Sequence, residues 1–413
     1  MNGFFKDTKT IELMKEGPLG PYIVPYANQL RAEGYARQSG RIQLRLIADF
    51  GRWLARKGIA ANQLGVQHTL GFRRARKRAG YRSTNADQAA LTRLVRLLRE
   101  QAVITDKPPK AIPTASEVLL AEYDGYLQRE RNLVLSTRIN YRALTRRFLV
   151  GKFGAGAVDL STLRAADVIR FVQQEAKQLI PKRAQLMTTA LRSFLRFAQY
   201  RGDLKLNLAS CVPSVASWSL ATVPKSLPLP YVKRILASCP RTTAVGRRDY
   251  AMLLLLARLG LRGGEVAHLT LEDIDWENGC ITVRGKLGRV DQLPLPDDVG
   301  RAIAAYLKAG RPQNSGSRRL FLRTKAPVTG FKDQRAVGSL VRHALAKAGI
   351  DWPRKGAHQF RHTLASDLLR QGRSLSEIGE ILRHRSPQTT TIYAKADLRS
   401  LRGLALPWPG GGR

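Results

Sequence analysis

Apolar residues recur at helical spacing along most of this chain. One apolar face is made by Leu191, Phe194, Leu195 and Ala198, which fall at i, i+3, i+4 and i+7. Such spacing places the four side chains on one side of a helix, and Gly202 follows where that helix should end. Similar apolar patterning marks three further stretches, 42–54, 249–259 and 337–345. The pattern predicts a mainly α-helical protein.

A strand pattern stands apart from this periodicity in the last third of the chain. Apolar and polar residues alternate over 280–284, and a second extended stretch covers 289–293. The tetrapeptide Gly-Lys-Leu-Gly at 285–288 lies between them and suits a turn. We therefore expect a small β-sheet or hairpin within an otherwise helical region.

Two proline-rich stretches, 105–114 and 211–230, interrupt the helical patterns. Proline removes a backbone donor and restricts the residue before it, so both stretches are predicted to be extended linkers. They divide the chain into an additional helical N-terminal domain at 1–106, a helical domain at 114–212 and an α+β domain at 228–413. The N-terminal domain is interpreted as a DNA-binding or protein-contact module.

The chain carries a large excess of positive charge. Among its 413 residues, Lys and Arg number 70 and Asp and Glu 31, which gives a formal net charge of +39. Self-repulsion of that size is untypical of a metabolic enzyme and favours a polyanionic partner, and a hydrophobic content of 44% indicates folded domains. Nucleic acid is the expected partner, and a ribosomal or RNA-packaging protein is compatible with the charge alone.

Other sequence features bear on location and cofactors. The three cysteines, Cys211, Cys239 and Cys280, are scattered and lack CxxC spacing, which argues against a disulfide framework or structural zinc. No apolar run approaches the roughly 20 residues that span a bilayer, and the charged N-terminus does not resemble a secretory signal. The sequence therefore predicts a cytoplasmic protein, associated with the bacterial nucleoid, without membrane contact.

The candidate chemistry lies in the last domain. Phosphodiester cleavage needs a nucleophile, a proton donor for the leaving oxygen and stabilisation of charge on phosphorus. Acidic residues are scarce and no H-E-x-x-H motif is present to hold a metal, whereas paired arginines can bind phosphate oxygens bidentately. His358 and Arg361 are three residues apart and would share a helix face, and His362 and His384 crowd the same region. Arg262 stands beside glycines that permit a close backbone approach.

This constellation resembles the tyrosine recombinase (phage integrase) family. The family pattern is an Arg after a helix, a Lys on a β-hairpin, His-x-x-Arg, a second His and a nucleophilic Tyr. In this chain the pattern is matched, in order, by Arg262, Lys286, His358, Arg361, His384 and Tyr393. The domain at 114–212 resembles the family's helical core-binding domain, most clearly in the sequence ALRSFLRFAQYRG.

The resemblance implies a role for each of these residues. Tyr393 would attack the scissile phosphate and form a 3′-phosphotyrosine bond, which frees a 5′-hydroxyl. Arg262 and Arg361 would bind the non-bridging oxygens, and Lys286 would protonate the leaving 5′ oxygen. Because the covalent bond conserves the phosphodiester energy, neither a metal nor another cofactor is expected.

His358 and His384 are also assigned to the catalytic set, and Glu265 is given a supporting role. His358 is expected to accept the tyrosine proton, His384 to hydrogen-bond the phosphate, and Glu265 to orient neighbouring groups. His362 is interpreted as a structural helix residue. The family often has Gly where this chain has Arg383, a position that is not expected to carry chemistry but can alter local DNA contacts.

The function implied is that of a site-specific DNA recombinase of the integrase or transposase type, acting through a Holliday junction. Its expected partners are double-stranded DNA with specific recombination sites and three further copies of the chain in a tetramer, with partner recombinases also compatible with the sequence. Two alternatives stay open at this point. One is a type IB topoisomerase-like enzyme with the same chemistry, and the other is a non-catalytic DNA-binding relative.

Overall fold

The computed structural model describes residues 3–5, 7–82, 84–104, 113–216, 226–285, 288–313 and 315–396. Contacts divide the chain into two compact units. The first unit joins Met1–Thr105 with Thr222–Arg413, and the second is Asp106–Ala221. The predicted proline-rich linkers lie in large part outside the described residues, so the three-domain division stays a prediction.

The N-terminal part of the first unit is helical. Its helices are α1 (Thr8–Met14), α2 (Gly20–Ala32), α3 (Arg37–Arg56), α4 (Val66–Arg78) and α5 (Asn85–Glu100). The periodic stretch at 42–54 lies in α3, where Leu46, Ile47 and Phe50 are buried in a core with residues of the other helices. Ile42, at the start of that stretch, is exposed. Its neighbour Leu44 is buried instead, so the buried face of α3 differs slightly from the predicted one.

The second unit is built from four helices, α6 (Ala115–Arg129), α7 (Leu135–Phe153), α8 (Ala165–Ala176) and α9 (Pro181–Tyr200). The four apolar residues predicted to share a face of α9 are all buried in its core. Gly202, just after the helix, has a φ of 85°, a left-handed conformation that favours glycine. The periodicity therefore predicted both the buried face of α9 and its end.

Over the residues that the structure describes, the C-terminal part of the first unit holds seven α-helices and a small sheet. The helices are α10 (Leu229–Ala237), α11 (Ala244–Arg258), α12 (Gly263–His268), α13 (Asp297–Ala309), α14 (Gln334–Lys347), α15 (His358–Arg370) and α16 (Leu375–Ile381). The strands are β1 (Ile274–Asp275), β2 (Cys280–Arg284) and β3 (Val290–Pro294). They form one antiparallel sheet in the order β1-β2-β3, with Ile281 opposite Leu293. The predicted mainly α fold with a small sheet is confirmed.

Helix α11 lies at the centre of this core. All six consecutive residues at 251–256 are buried, because helices pack around more than one side of α11. Its end at Arg258 and the turn at Gly260 place Arg262 at the start of α12. Among the helices that the structure describes, none has both the length and the apolarity to cross a membrane.

The segment that carries Tyr393 is not a continuous α-helix. Ser386 and Pro387 start a 3₁₀ turn over Pro387–Thr389, and a second 3₁₀ segment covers Thr391–Ala396. Thr390 lies between them with Thr389 and Thr391 on either side, and the branched side chains of the three threonines disfavour a continuous α-helix. Thr390 is buried, and its hydroxyl bonds to His384. This tertiary contact accompanies the break between the two turns.

Candidate active site

Arg361 anchors the site from the first turn of α15. Its side chain is buried, with only 1% of the residue exposed. Nη1 donates to the carbonyl of Gly260 at 2.7 Å, and Nη2 donates to the carbonyl of Leu382. Burial, together with repulsion from Arg262 and Arg383, lowers the pKa of this guanidinium to about 10. Arg361 therefore stays charged at neutral pH while it joins the turn after α11 to the end of α16.

Arg262 is positioned by the start of α12. It is the N-cap residue, and Glu265 at N3 reaches back to accept from its backbone N–H at 2.8 Å, as in a capping box. The Glu265 carboxylate also accepts from Arg262 Nη1 at 2.7 Å. Because 36% of the Arg262 side chain remains exposed, its guanidinium is accessible to a substrate.

Glu265 is the buried carboxylate among three guanidinium groups. Its second oxygen accepts from Arg383 Nη2 at 2.8 Å. Burial favours the neutral carboxyl, but the charge of Arg383 and the hydrogen bonds from Arg262 outweigh it, so the pKa of Glu265 is lowered. Counting Arg262, Arg361 and Arg383 against this carboxylate, three charges minus one leave two positive charges in excess. Such a cluster suits a phosphate group.

Tyr393 lies against this cluster. The residue is 1% exposed, and its hydroxyl lies 3.0 Å from His362 Nδ1. Burial raises the pKa of Tyr393 to about 12, although the nearby Arg361 acts in the opposite direction. The hydroxyl therefore keeps its proton at neutral pH and can donate it to a neutral His362.

The histidines surround the tyrosine ring. The rings of His358 and His362 meet edge to face with centroids 4.5 Å apart, and His384 stacks on Tyr393 with centroids 6.4 Å apart. Burial lowers the pKa of His362 and of His384 to about 4, with nearby cationic groups adding to the shift. Both imidazoles are therefore neutral at pH 7 and can accept protons.

The structure brings together the sequence-predicted residues that it describes. Arg262, Arg361, His358, His384 and Tyr393 cluster around the start of α15 and the end of α16, with Glu265 beneath them. Lys286 lies outside the described residues, so its place stays a prediction. Over the described ranges, no three His, Cys, Asp or Glu side chains converge as a metal site would require.

Two residues of the cluster were not assigned to it by the sequence. His362, interpreted there as structural, contacts the Tyr393 hydroxyl, whereas the proton-accepting role was given to His358. A signal was present, since His358 and His362 are four residues apart and so share a helix face. Arg383, interpreted from the sequence as a position that can alter local DNA contacts, is buried and bonds to Glu265. Its burial depends on a contact between distant parts of the chain, for which the sequence pattern carries no signal.

Comparisons with known proteins agree with this geometry. Residues 226–399 match the model of the phage integrase family. The chain is 50% identical to the Sinorhizobium fredii protein named "Putative integrase/recombinase y4rA" over 396 residues, 96% of each chain. It is 30% identical to tyrosine recombinase XerA of Thermococcus onnurineus over 286 residues, 69% of this chain and 93% of that relative.

Solved structures share the fold. XerH site-specific recombinase bound to its palindromic difH substrate superimposes with a TM-score of 0.55 at 18% identity, covering 69% of this chain and 83% of that one. A lambda integrase dimer bound to a core site gives a TM-score of 0.53 at 15% identity, covering 71% and 99%. The matches are to recombinases and integrases, which supports recombination over the topoisomerase-like and non-catalytic alternatives. These matches, together with the arginines, histidines and tyrosine of the site, show that this chain belongs to the phage integrase family of tyrosine recombinases, enzymes that transfer DNA strands.

Proposed function

We propose that this recombinase cleaves and rejoins DNA at specific sites through a covalent bond between Tyr393 and the 3′ phosphate. One observation supports this assignment above the others: the Tyr393 hydroxyl lies 3.0 Å from a neutral imidazole, beside a cluster with an excess of arginine charge. A nucleophile, a proton acceptor and phosphate-binding groups are the parts that phosphoryl transfer to a hydroxyl requires.

The arginines bind the scissile phosphate. Arg262, partly exposed and held by Glu265, meets one non-bridging oxygen, and Arg361 meets the other from its buried position. Both guanidiniums are fixed before the substrate arrives, so little reorganisation is needed as negative charge grows on the oxygens. His384, half-buried and neutral, is placed to hydrogen-bond the same phosphate.

The transfer step forms one bond and breaks one. The Tyr393 oxygen bonds to phosphorus while its proton passes to His362 Nδ1, and the bond from phosphorus to the 5′ oxygen breaks. That oxygen takes a proton from Lys286 and leaves as a hydroxyl. His358, whose ring packs edge to face against His362, holds that imidazole in position. Reversal with a 5′-hydroxyl from another strand rejoins the DNA, with the same phosphodiester energy retained.

Strand exchange needs more than one copy of the chain. Two duplexes each offer two strands, so four copies of Tyr393 act in turn and the first exchange leaves a Holliday junction. A tetramer on DNA is therefore part of the proposal. The XerH and lambda integrase structures are bound to DNA, and the net charge of +39 suits binding to the DNA backbone. The charge and the additional N-terminal helices favour a mobile-element integrase or transposase.

The proposal is tested with a trapped covalent complex. A preferred duplex is selected from a randomised pool by binding to the full chain, and it is then nicked close to each candidate scissile phosphate. Loss of the short product strand prevents rejoining, so the wild-type chain should accumulate a denaturant-resistant adduct at one phosphate, with no added metal. The proposal fails if the chain binds the selected duplex but no nick position yields an adduct.

The proton acceptor can be identified from the pH dependence of this adduct. Because His362 has its pKa lowered to about 4, it stays neutral down to pH 5.5, and acidification from pH 8 to 5.5 should not protonate it. An acceptor with an ordinary histidine pKa of about 6.5 would lose roughly tenfold in rate at pH 5.5.

His362→Asn should lower the rate of adduct formation roughly 100-fold or more at pH 7, with DNA affinity unchanged.

His358→Asn is the matched control for that measurement. It lies one turn earlier on α15, and we expect its loss of rate to be smaller. If His358→Asn removed cleavage and His362→Asn did not, the proton would pass to His358 instead.

A further inference from the structure

Arg383 occupies a backbone position that ordinarily favours glycine. It follows Leu382, the C-cap of α16, and its φ is +55°. The turn is closed by hydrogen bonds from Arg383 N to Glu380 O and from His384 N to Gly379 O, both at 2.8 Å. A side chain in this left-handed region is strained, whereas glycine is not. An arginine here therefore calls for an explanation in its side chain.

The side chain of Arg383 is buried, but only one of its three nitrogens makes a hydrogen bond. Only 4% of it is exposed, and Nη2 donates to Glu265 Oε2 at 2.8 Å. Nε and Nη1 are buried without a hydrogen-bond partner. The carboxylate of Asp291 lies 3.9 Å from Nη1, which is too far for a hydrogen bond but close enough for an ion pair. Buried donors without acceptors are unfavourable, so this geometry indicates a second partner close at hand.

Asp291 connects that second partner to the sheet. It lies on β3, opposite Val283 of β2, and its other oxygen accepts from Arg289 Nε at 2.7 Å. Arg383 thus stands between two carboxylates: Glu265, which holds Arg262, and Asp291, which belongs to the hairpin. Hydrogen bonds in catalytic sites are often long without substrate and shorten in the reacting complex.

We propose that Arg383 is a positioning residue that joins the β2–β3 hairpin to the phosphate-binding arginines by bridging Asp291 and Glu265. Arg383 orients the Glu265 carboxylate, and that carboxylate in turn orients Arg262. In the complex with DNA, Arg383 Nη1 also donates a hydrogen bond to Asp291. This inference rests on the proposed function. The contacts of the Arg383 side chain explain why an arginine stands at a backbone position where glycine would be unstrained.

Single substitutions test the first half of the bridge. Arg383→Gly relieves the backbone strain, so folding should persist, but adduct formation on the nicked duplex should slow roughly 10- to 100-fold at saturating DNA, the equivalent of one lost charge-assisted hydrogen bond. The dissociation constant for the duplex should change less than about threefold, because Arg383 is buried. Arg383→Lys keeps the charge and should recover part of the rate.

Ala102→Gly is the matched control. Ala102 also has a φ of +55°, at the end of α5, and it places no charged group near the site. This variant should cleave at the wild-type rate. If Arg383→Gly cleaved as fast as Ala102→Gly, the positioning role would be refuted.

A double-mutant cycle tests the second half. Asp291→Asn should slow cleavage in the wild-type background but add little in the Arg383→Gly background, because the two groups act through one contact. Additive effects would overturn the bridge. Should Arg383→Gly not fold, Asp291→Asn combined with Arg383→Lys provides the same cycle. Absence of any adduct with the wild-type chain would instead refute the proposed function, so the two failures are distinguishable.

Discussion

Tyr393→Phe should bind its selected duplex with wild-type affinity and form no covalent adduct on the nicked substrate. The substitution removes only the hydroxyl that lies on His362, and the ring remains to fill its buried place. Removing a nucleophile outright lowers the rate of covalent catalysis by a factor of roughly 10⁴ or more. The measurement is the fraction of labelled DNA that stays with the protein in denaturing gels.

The same variant should fold normally. It loses one buried hydrogen bond, whose net contribution is about 1 kcal/mol, and it leaves a neutral imidazole that keeps its contact with His358. Urea unfolding provides the control for this expectation. A covalent adduct formed by Tyr393→Phe at the wild-type rate would show that another side chain attacks the phosphate, and the assignment of Tyr393 would be wrong.

Arg361→Ala should abolish cleavage and also destabilise the fold. The substitution leaves the carbonyls of Gly260 and Leu382 without their donor, in a region where both residues are buried. Each buried acceptor left unpaired costs about 1–3 kcal/mol, so the loss of both bonds should lower the free energy of unfolding by about 2–6 kcal/mol. Denaturant unfolding monitored by circular dichroism measures this loss, and the trapped-adduct assay measures the loss of activity.

Arg361→Lys separates the structural from the chemical contribution. Lysine keeps the charge and part of the packing, so stability should recover in part, but it lacks the planar fork that serves two carbonyls and a phosphate together. We expect the adduct rate to stay at least about 100-fold below that of the wild type. Wild-type cleavage by this variant would contradict the direct role of Arg361 at the phosphate.

Local patterns predicted the helices well and short irregular segments less well. The face of α9 and the strands β2 and β3 follow from side-chain periodicity, which reflects burial on one side. The two-residue strand β1 was not predicted, since it is too short to show alternation and exists only by pairing with β2. The turns around Tyr393 depend on a buried threonine and its contact with His384, which local patterns do not report.

The candidate site shows the same division. The order of charged and aromatic residues predicted a shared site for Arg262, Arg361 and Tyr393, and the structure brings these three residues close together. That order did not reveal that Tyr393 faces His362 rather than His358, because that choice depends on how the Tyr393 segment packs against α15. Nor did it place Arg383, whose partner Glu265 is 118 residues away along the chain.

The excess of arginine charge near Tyr393 makes the electrostatic energy of the active site depend on whether DNA is bound. Arg262, Arg361 and Arg383 outnumber the carboxylates of Glu265 and Asp291 beside them, so the repulsion among the three arginines is not fully offset in the protein without DNA. A phosphodiester entering the site supplies the missing negative charge and relaxes that repulsion. Binding of the substrate phosphate therefore stabilises the arginine cluster of the active site and places the phosphate for reaction at the same time.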